Sequence, residues 1–200
     1  MRILFISEFF PDAKKAFTGG VEARTFFTAE KLRRHHSIKI ISRNSAHVSA
    51  NFGSIFGRLW FMVHAIIRGL RQPKIDLVEG SNVICYLPAW IIAKLKRVPA
   101  VIWVPDVLGK DWHYFGLTGI FGRFLEWISL KLPWDHVIAL SQQTAAKLIR
   151  TGINKDKITV VYPGVDTAEF SSPVNKRVLP TLCVISRLVP YKRVGDSLKL

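Results

Sequence analysis

The chain has 200 residues, 49% of them apolar and six of them Trp, with a formal net charge of +15. That length and apolar content support a packed core for one domain, or for one domain and the start of another, and exclude a disordered chain. The charge favours anionic partners, whether nucleic acid, acidic lipid headgroups or phosphorylated substrates, without choosing among them.

Residues 2–7 (RILFIS) form a short apolar run followed by turn residues, the pattern of a buried strand. Residues 8–20 read as a loop through Pro11, Asp12 and the Gly19-Gly20 pair. From 21 to about 35 the spacing of Phe26, Ala29 and Leu32 is helical. A second strand is expected over 37–42 (SIKIIS), and a long, very apolar helix over 54–71. Further strands are expected over 76–79, 100–104, 136–139 and 158–161. Helices over 83–96, 119–130 and 142–151 alternate with them. The alternation, with no hairpin signal, predicts βαβ units: an α/β fold with a Rossmann-like parallel sheet and helices on both faces. Residues 166–180, polar and with two prolines, read as an interdomain linker. Residues 181–185 (TLCVI) read as a fresh strand, 186–193 as a loop and 194–200 as the opening of a helix. The expected organisation is therefore a domain over 1–165, a linker over 166–180 and the incomplete start of a second Rossmann-like domain over 181–200.

Cys85 and Cys183 both sit in apolar runs that read as buried. They provide no zinc spacing and no disulfide framework, so no metal is expected and a reducing, cytoplasmic compartment fits best. The four apolar residues from Ile3 to Ile6 are too few for a signal-peptide core. No uninterrupted apolar run is long enough to span a bilayer.

In open parallel sheets ligands bind beyond the carboxyl ends of the strands. Three segments qualify: 8–20, 105–118 and the turn at Ser141. Gly19 and Gly20 directly precede a helix, where small residues and free backbone N–H groups suit a phosphate; an ordinary flexible turn is the competing reading. Glu22 in the first turn is either a site residue or a favourable charge for the helix dipole. Ser141 is placed to cap the helix that follows, with a ligand contact as the added reading. Asp106 and His113 are candidates for a base or for a hydrogen-bonding partner of a ligand; a turn residue and a surface residue are the alternatives.

The opening MRILFISEFFPDAKKAFTGGVEARTFFTAEKLRRHHSIKIIS resembles the start of family-4 retaining glycosyltransferases of the GT-B fold. HVIALSQQTAAKLIRTGINKDKITVVYPGVDTAEF is similar to that family's stretch before its linker, although Tyr162-Pro163-Gly164 lacks the usual Asn. LCVISRLVPYKRVGD resembles the first strand and phosphate loop of the family's donor domain. The three segments stand in the family's order along the whole chain. The resemblance implies two domains facing across a cleft, the first holding the acceptor and the second the nucleotide sugar. It implies that Arg187 and Lys192, with Gly19 and Gly20, grip the donor diphosphate. Fixed cations there would stabilise the charge that develops on the leaving nucleotide. Arg binds phosphate bidentately and Lys acts as a compact charge. It also implies retention by front-face attack, with donor phosphate assisting the acceptor hydroxyl. The nucleotide sugar, such as a UDP- or GDP-sugar, is then a substrate, and no cofactor or metal is needed. One departure is plain: where many relatives carry a His after the fourth strand, this chain has Pro105, which leaves Asp106 or His113 to stand in.

Residues 54–71 combine a wide apolar face with Arg58, His64, Arg68 and Arg71, which at 100° per residue fall within an arc of roughly 140°. Residues 115–131 show Phe121, Phe124, Leu125, Trp127 and Ile128 beside Arg123 and Lys131. Two readings stand: buried cover helices of the sheet, or docking on an anionic membrane at the inner face that presents a lipid-linked acceptor. The expected function is sugar transfer from a nucleotide sugar to a glycan or lipid-linked acceptor. Its rivals are a non-catalytic, glycosyltransferase-like partner subunit, supported by Pro105, and a basic nucleic-acid-binding module. The scattered cations argue against the last, and no nucleic-acid partner is expected. With most of the donor site absent, residues 1–200 alone are expected to be inactive.

Overall fold

The structure is a computed structural model that describes residues 1–11, 19–43, 55–165, 167, 183–186, 192 and 194–197. It divides into two units, residues 1–163 and 164–200. The first contains β1 (Arg2–Ile6), α1 (Gly20–Leu32), β2 (Ser37–Ile41), α2 (Ile55–Leu70), β3 (Leu77–Gly80), α3 (Val83–Lys96), β4 (Ala100–Val104), α4 (Gly116–Leu130), β5 (His136–Ala139), α5 (Gln142–Arg150) and β6 (Ile158–Val160). The strands lie in the order β2-β1-β3-β4-β5-β6, and every neighbouring pair is parallel. This is the expected α/β, Rossmann-like sheet.

The strand order sets where the helices go. The chain steps from β1 to β2 on one side, then returns past β1 to β3 and continues in that direction. Right-handed crossovers put α1 on one face and α2 to α5 on the other. The side chains agree. Leu4, Ile6, Val78, Ile102, Val104 and Val137 share one buried cluster with Phe61 and Ala65 of α2, Ile92 of α3, Leu125 of α4 and Leu148 of α5. The alternate strand residues Glu79 and Trp103 face α1, whose Arg24 touches both. All five residues of β4 (AVIWV) are buried, which is why this strand reads as a continuous apolar run rather than as an alternation. Two helices begin on side-chain caps: Asn82 Oδ1 accepts from the Cys85 N–H at 3.2 Å, and Ser141 Oγ accepts from the Thr144 N–H at 3.1 Å.

The sequence reading of α3, β4 and β5 coincides with the structure, and the other ends move by a few residues at most. Two 3₁₀ segments, Gly109–Phe115 and Lys155–Lys157, were not anticipated. GKDWHYF has neither a helical nor an alternating pattern, so nothing in its periodicity separates it from a loop.

In the second unit, Val194–Ser197 is helical as expected. The expected strand over 181–185 is not found among its described residues: 183–185 have no regular secondary structure, and Cys183 is exposed. A run of five apolar residues is too short for pattern alone to fix either burial or strand. The expected linker, except Thr167, lies outside the described residues. No helix among the described residues is long and apolar enough to cross a membrane.

Candidate functional site

The reversal of direction between β1 and β3 makes the carboxyl edge there the topological switch point of the sheet, the general ligand position in such folds. Backbone pairing continues past the strands and holds that edge in register. The Ser7 N–H bonds the Ile41 carbonyl at 3.0 Å, Ser81 N–H bonds the Ile6 carbonyl at 3.0 Å, and Arg43 N–H bonds the Glu8 carbonyl at 3.1 Å.

Glu8, the second residue after β1, is buried at this point. Its Oε1 accepts from Arg43 Nη1 and from Arg58 Nε, each at 3.3 Å, and its Oε2 accepts from Asn82 Nδ2 at 3.3 Å. A buried carboxylate is tolerated only when paired and hydrogen-bonded. Here the partners come from the ends of β2, α2 and β3, so one side chain fastens three connections. Asn82 uses both ends of its amide, capping α3 with the oxygen and holding Glu8 with the nitrogen.

A second buried acid lies one strand over. Glu79 of β3 is bonded and ion-paired to Arg24 of α1, whose guanidinium carbon lies 4.8 Å from the centre of the Trp103 ring. Burial pushes the Glu79 carboxyl above its usual range, and the charge and hydrogen bond of Arg24 pull it partly back. This contact pins the first turns of α1 against the carboxyl ends of β3 and β4.

The β4 and β5 ends are joined by a third set of contacts. Thr144 Oγ1 donates to the Pro105 carbonyl at 3.1 Å, and Lys147 Nζ donates to Asp106 Oδ1 at 2.7 Å and to the Val107 carbonyl at 3.1 Å. Below them the buried Glu126 of α4 accepts from the Leu108 and Gly109 N–H groups at 2.9 and 2.8 Å. The loop after β4 is thus held from α4 and from α5.

The structure places most of the sequence-derived candidates on this one edge. Gly19 is the extended residue before α1 and Gly20 its first residue; both are exposed, with no atom within 4 Å of a Cβ built on either. Glu22 is buried in the same turn. Asp106 and Ser141 are brought together by Thr144 and Lys147. Asp106 is half exposed, and its Oδ1 also accepts from the Val107 N–H. His113 is not gathered with them: it lies exposed on the 3₁₀ segment Gly109–Phe115, bonded to the Lys110 carbonyl at 2.8 Å, with its ring tilted against that of Tyr114. Lys192 is exposed in the second unit, and Arg187 lies outside the described residues. Among the described residues no group of acids, His and Cys has a metal-binding arrangement.

Sequence reasoning missed Glu8, Arg43, Asn82, Arg24, Glu79 and Glu126. For Glu8, Arg43, Glu79 and Asn82 the available signal was a charged or amide residue at or just past the end of a buried apolar run, which parallel-sheet topology converts into an edge residue; Arg24 and Glu126 lie inside helices and carry no such signal.

Residues 18–169 match the family described as Glycosyltransferase Family 4. No curated protein sequence matches the chain. Among solved structures, the chain is similar to HepE of Anabaena in complex with UDP-glucose, at 18% identity and TM-score 0.58, over 86% of this chain and 47% of that one. It is similar to the lipopolysaccharide outer core galactosyltransferase WaaB at 15% identity and TM-score 0.50, over 82% of this chain and 46% of that one. It is also similar to the UDP-GlcNAc 2-epimerase of Methanocaldococcus jannaschii, at 12% identity and TM-score 0.53, over 80% and 45% of the two chains. These likenesses speak to the fold. The chain spans about half the length of each of these structures.

Proposed function

The chain belongs to glycosyltransferase family 4, and we propose that the whole protein transfers a sugar from a nucleotide-sugar donor to a glycan or lipid-linked acceptor with retention of configuration. The observation that carries this reading is the family match over residues 18–169, which takes in the Gly19-Gly20 helix start, Asp106 and Ser141 on one sheet edge. Structures of this fold in complex with UDP-glucose and with UDP support a nucleotide-sugar donor.

The physical roles follow from position. The open space around Gly19 and Gly20 at the N-terminus of α1 suits a close approach by an anionic group. Arg187 and Lys192 supply positive charge where the leaving nucleotide becomes more negative, which lowers the barrier to breaking the glycosidic bond. Asp106, held by Lys147, offers its second oxygen to an acceptor or sugar hydroxyl. Glu22 and Ser141 line the acceptor side; His113 remains a second candidate for the base. Glu8, Glu79 and Glu126 are consumed by internal bonds and act as scaffold. Front-face attack, with the proton of the acceptor hydroxyl passing to donor phosphate, requires no protein nucleophile.

The non-catalytic alternative has one observation in its favour. Pro105 brings no side-chain donor to the end of β4, and its carbonyl is taken up by Thr144. A panel of UDP- and GDP-sugars with the complete protein separates the two. Turnover that falls by about 10²–10³-fold in Arg187→Ala or Lys192→Ala, with the fold intact, supports charge stabilisation at the diphosphate. Undiminished turnover in both variants refutes the assigned roles, and no turnover with any donor favours the non-catalytic reading.

A further inference from the structure

α2 is turned opposite to what its charges lead one to expect. Its buried residues Phe61, Met62, Ala65 and Gly69 face the sheet. Its exposed side is formed by Phe56, Leu59, Trp60, Val63, Ile67 and Leu70, which at 100° per residue span an arc of only about 100°. Phe56 is 84% exposed and Trp60 62%. Arg58 points the other way, into the bond with Glu8.

α4 repeats the arrangement. Leu125, Glu126 and Leu130 are buried, while Leu117, Ile120, Phe124 and Trp127 are exposed, Leu117 at 82% and Trp127 at 61%. Both helices pack on the same sheet face, with α3 between them, because their buried residues enter one common cluster. The outer surface of this helix layer is therefore an aromatic and aliphatic patch on a strongly charged protein. Patches of this kind mark interaction sites.

We infer that this surface docks the protein on an anionic lipid bilayer. The charge pattern selects that occupant. α2 contains no acidic residue, and the only one in α4, Glu126, is buried and bonded inward. The exposed cations Arg71 and Arg123 border the patch, and the chain carries +15 overall. A second copy of this chain would bring like charges together across a two-fold interface. An anionic surface is attracted by them. Exposed Trp and Phe beside Arg is also the composition that lies at the headgroup level of a membrane. Orientation adds a consequence. Crossover helices begin at the carboxyl edge of the sheet, so Phe56 and Leu117, in the first turns of α2 and α4, stand at the same edge as Asp106 and Ser141. Docking then presents that edge to molecules embedded in the bilayer surface.

The inference is tested without any donor or turnover, so it stands or falls apart from the proposed reaction. The full protein is sedimented with vesicles of phosphatidylcholine alone and of phosphatidylcholine mixed with phosphatidylglycerol. Tryptophan emission is followed in parallel, since Trp60 and Trp127 would enter the interface. Binding to the mixed vesicles is expected. It should weaken by about tenfold or more in Trp60→Glu/Phe124→Glu, and by roughly fivefold for each cation removed in Arg71→Gln and Arg123→Gln. Circular dichroism confirms that each variant is folded. No binding to the mixed vesicles, or binding unchanged in Trp60→Glu/Phe124→Glu, overturns the inference. So does a concentration-dependent dimer that this variant abolishes in the absence of vesicle binding, which would assign the patch to a second copy.

Discussion

Replacing Arg24 by Met tests how the carboxyl edge is held together. Met keeps much of the apolar stem and removes the charge that pairs with Glu79 and lies over Trp103. Removing one partner of a buried pair costs about 3–5 kcal/mol, because the remaining charge is stranded in the interior. Arg24 retains 14% side-chain exposure, and water can reach the vacated site, so the lower end applies: about 3 kcal/mol. For a chain of this size each kcal/mol shifts the unfolding midpoint by roughly 2–4 °C, which gives a fall of roughly 6–12 °C. The loss must also depend on pH in a defined direction. Burial raises the folded-state pKa of Glu79 above its ordinary 4.5. The unfolded chain releases this proton first, so stability falls as pH rises from 4.5 to the folded value and is level beyond it. Without Arg24 the folded value climbs further and the decline extends to higher pH. Urea unfolding followed by circular dichroism is therefore expected to show a large deficit for Arg24→Met at pH near 7 that shrinks towards pH near 5. Adding Glu79→Gln to Arg24→Met removes the stranded charge and should recover more than half of the deficit at neutral pH. A deficit below about 1 kcal/mol, or one equal at both pH values, refutes the reasoning.

The 3₁₀ segment before α4 makes a separate packing test. A Cβ on Gly122 would overlap the Trp112 ring, so Gly122→Ala is expected to cost about 1–3 kcal/mol in thermal unfolding. Gly20→Ala, where a Cβ meets nothing within 4 Å, should leave the midpoint unchanged or slightly raised. Glu126→Gln turns one of two acceptors into a donor and leaves the Leu108 or Gly109 N–H without its partner, at about 1–3 kcal/mol. Hydrogen exchange should show those two amides losing protection while β4 keeps its own.

The sheet was readable because its signals are local. β4 is five apolar residues between Pro99 and Pro105, α3 begins at an Asn with capping geometry, and α5 begins at a Ser. The helix layer was only half readable. The pattern of α2 shows a wide apolar face and a basic arc, but not which part of that face the sheet covers. Arg58 turns inward because Glu8, fifty residues earlier, is buried at the end of β1. No window on the helix contains that information. The same holds for Glu8, Arg43 and Asn82, which lie on three separate strand ends and meet only when the parallel order is formed.

Three of the buried acids, Glu8, Glu79 and Glu126, hold this edge together from inside. Glu8 holds the ends of β2, α2 and β3; Glu79 holds α1; Glu126 holds the loop after β4. Each accepts from at least one backbone N–H, amide or guanidinium belonging to a different element, so each carboxylate is engaged from inside the fold. Among the described residues, the Gly19-Gly20 turn and the half-exposed Asp106 face outward on that edge, with Ser141 beside them bonded to Thr144. Such a surface suits hydroxyls and phosphates, and Glu8, Glu79 and Glu126 are engaged in internal bonds rather than turned towards a ligand. On the proposed function, such an edge would position the acceptor rather than supply a nucleophile. Transfer through a covalent glycosyl intermediate on any of these three glutamates would require that glutamate to abandon its internal partners first, and the matching Gln variant would then abolish turnover instead of only loosening the fold.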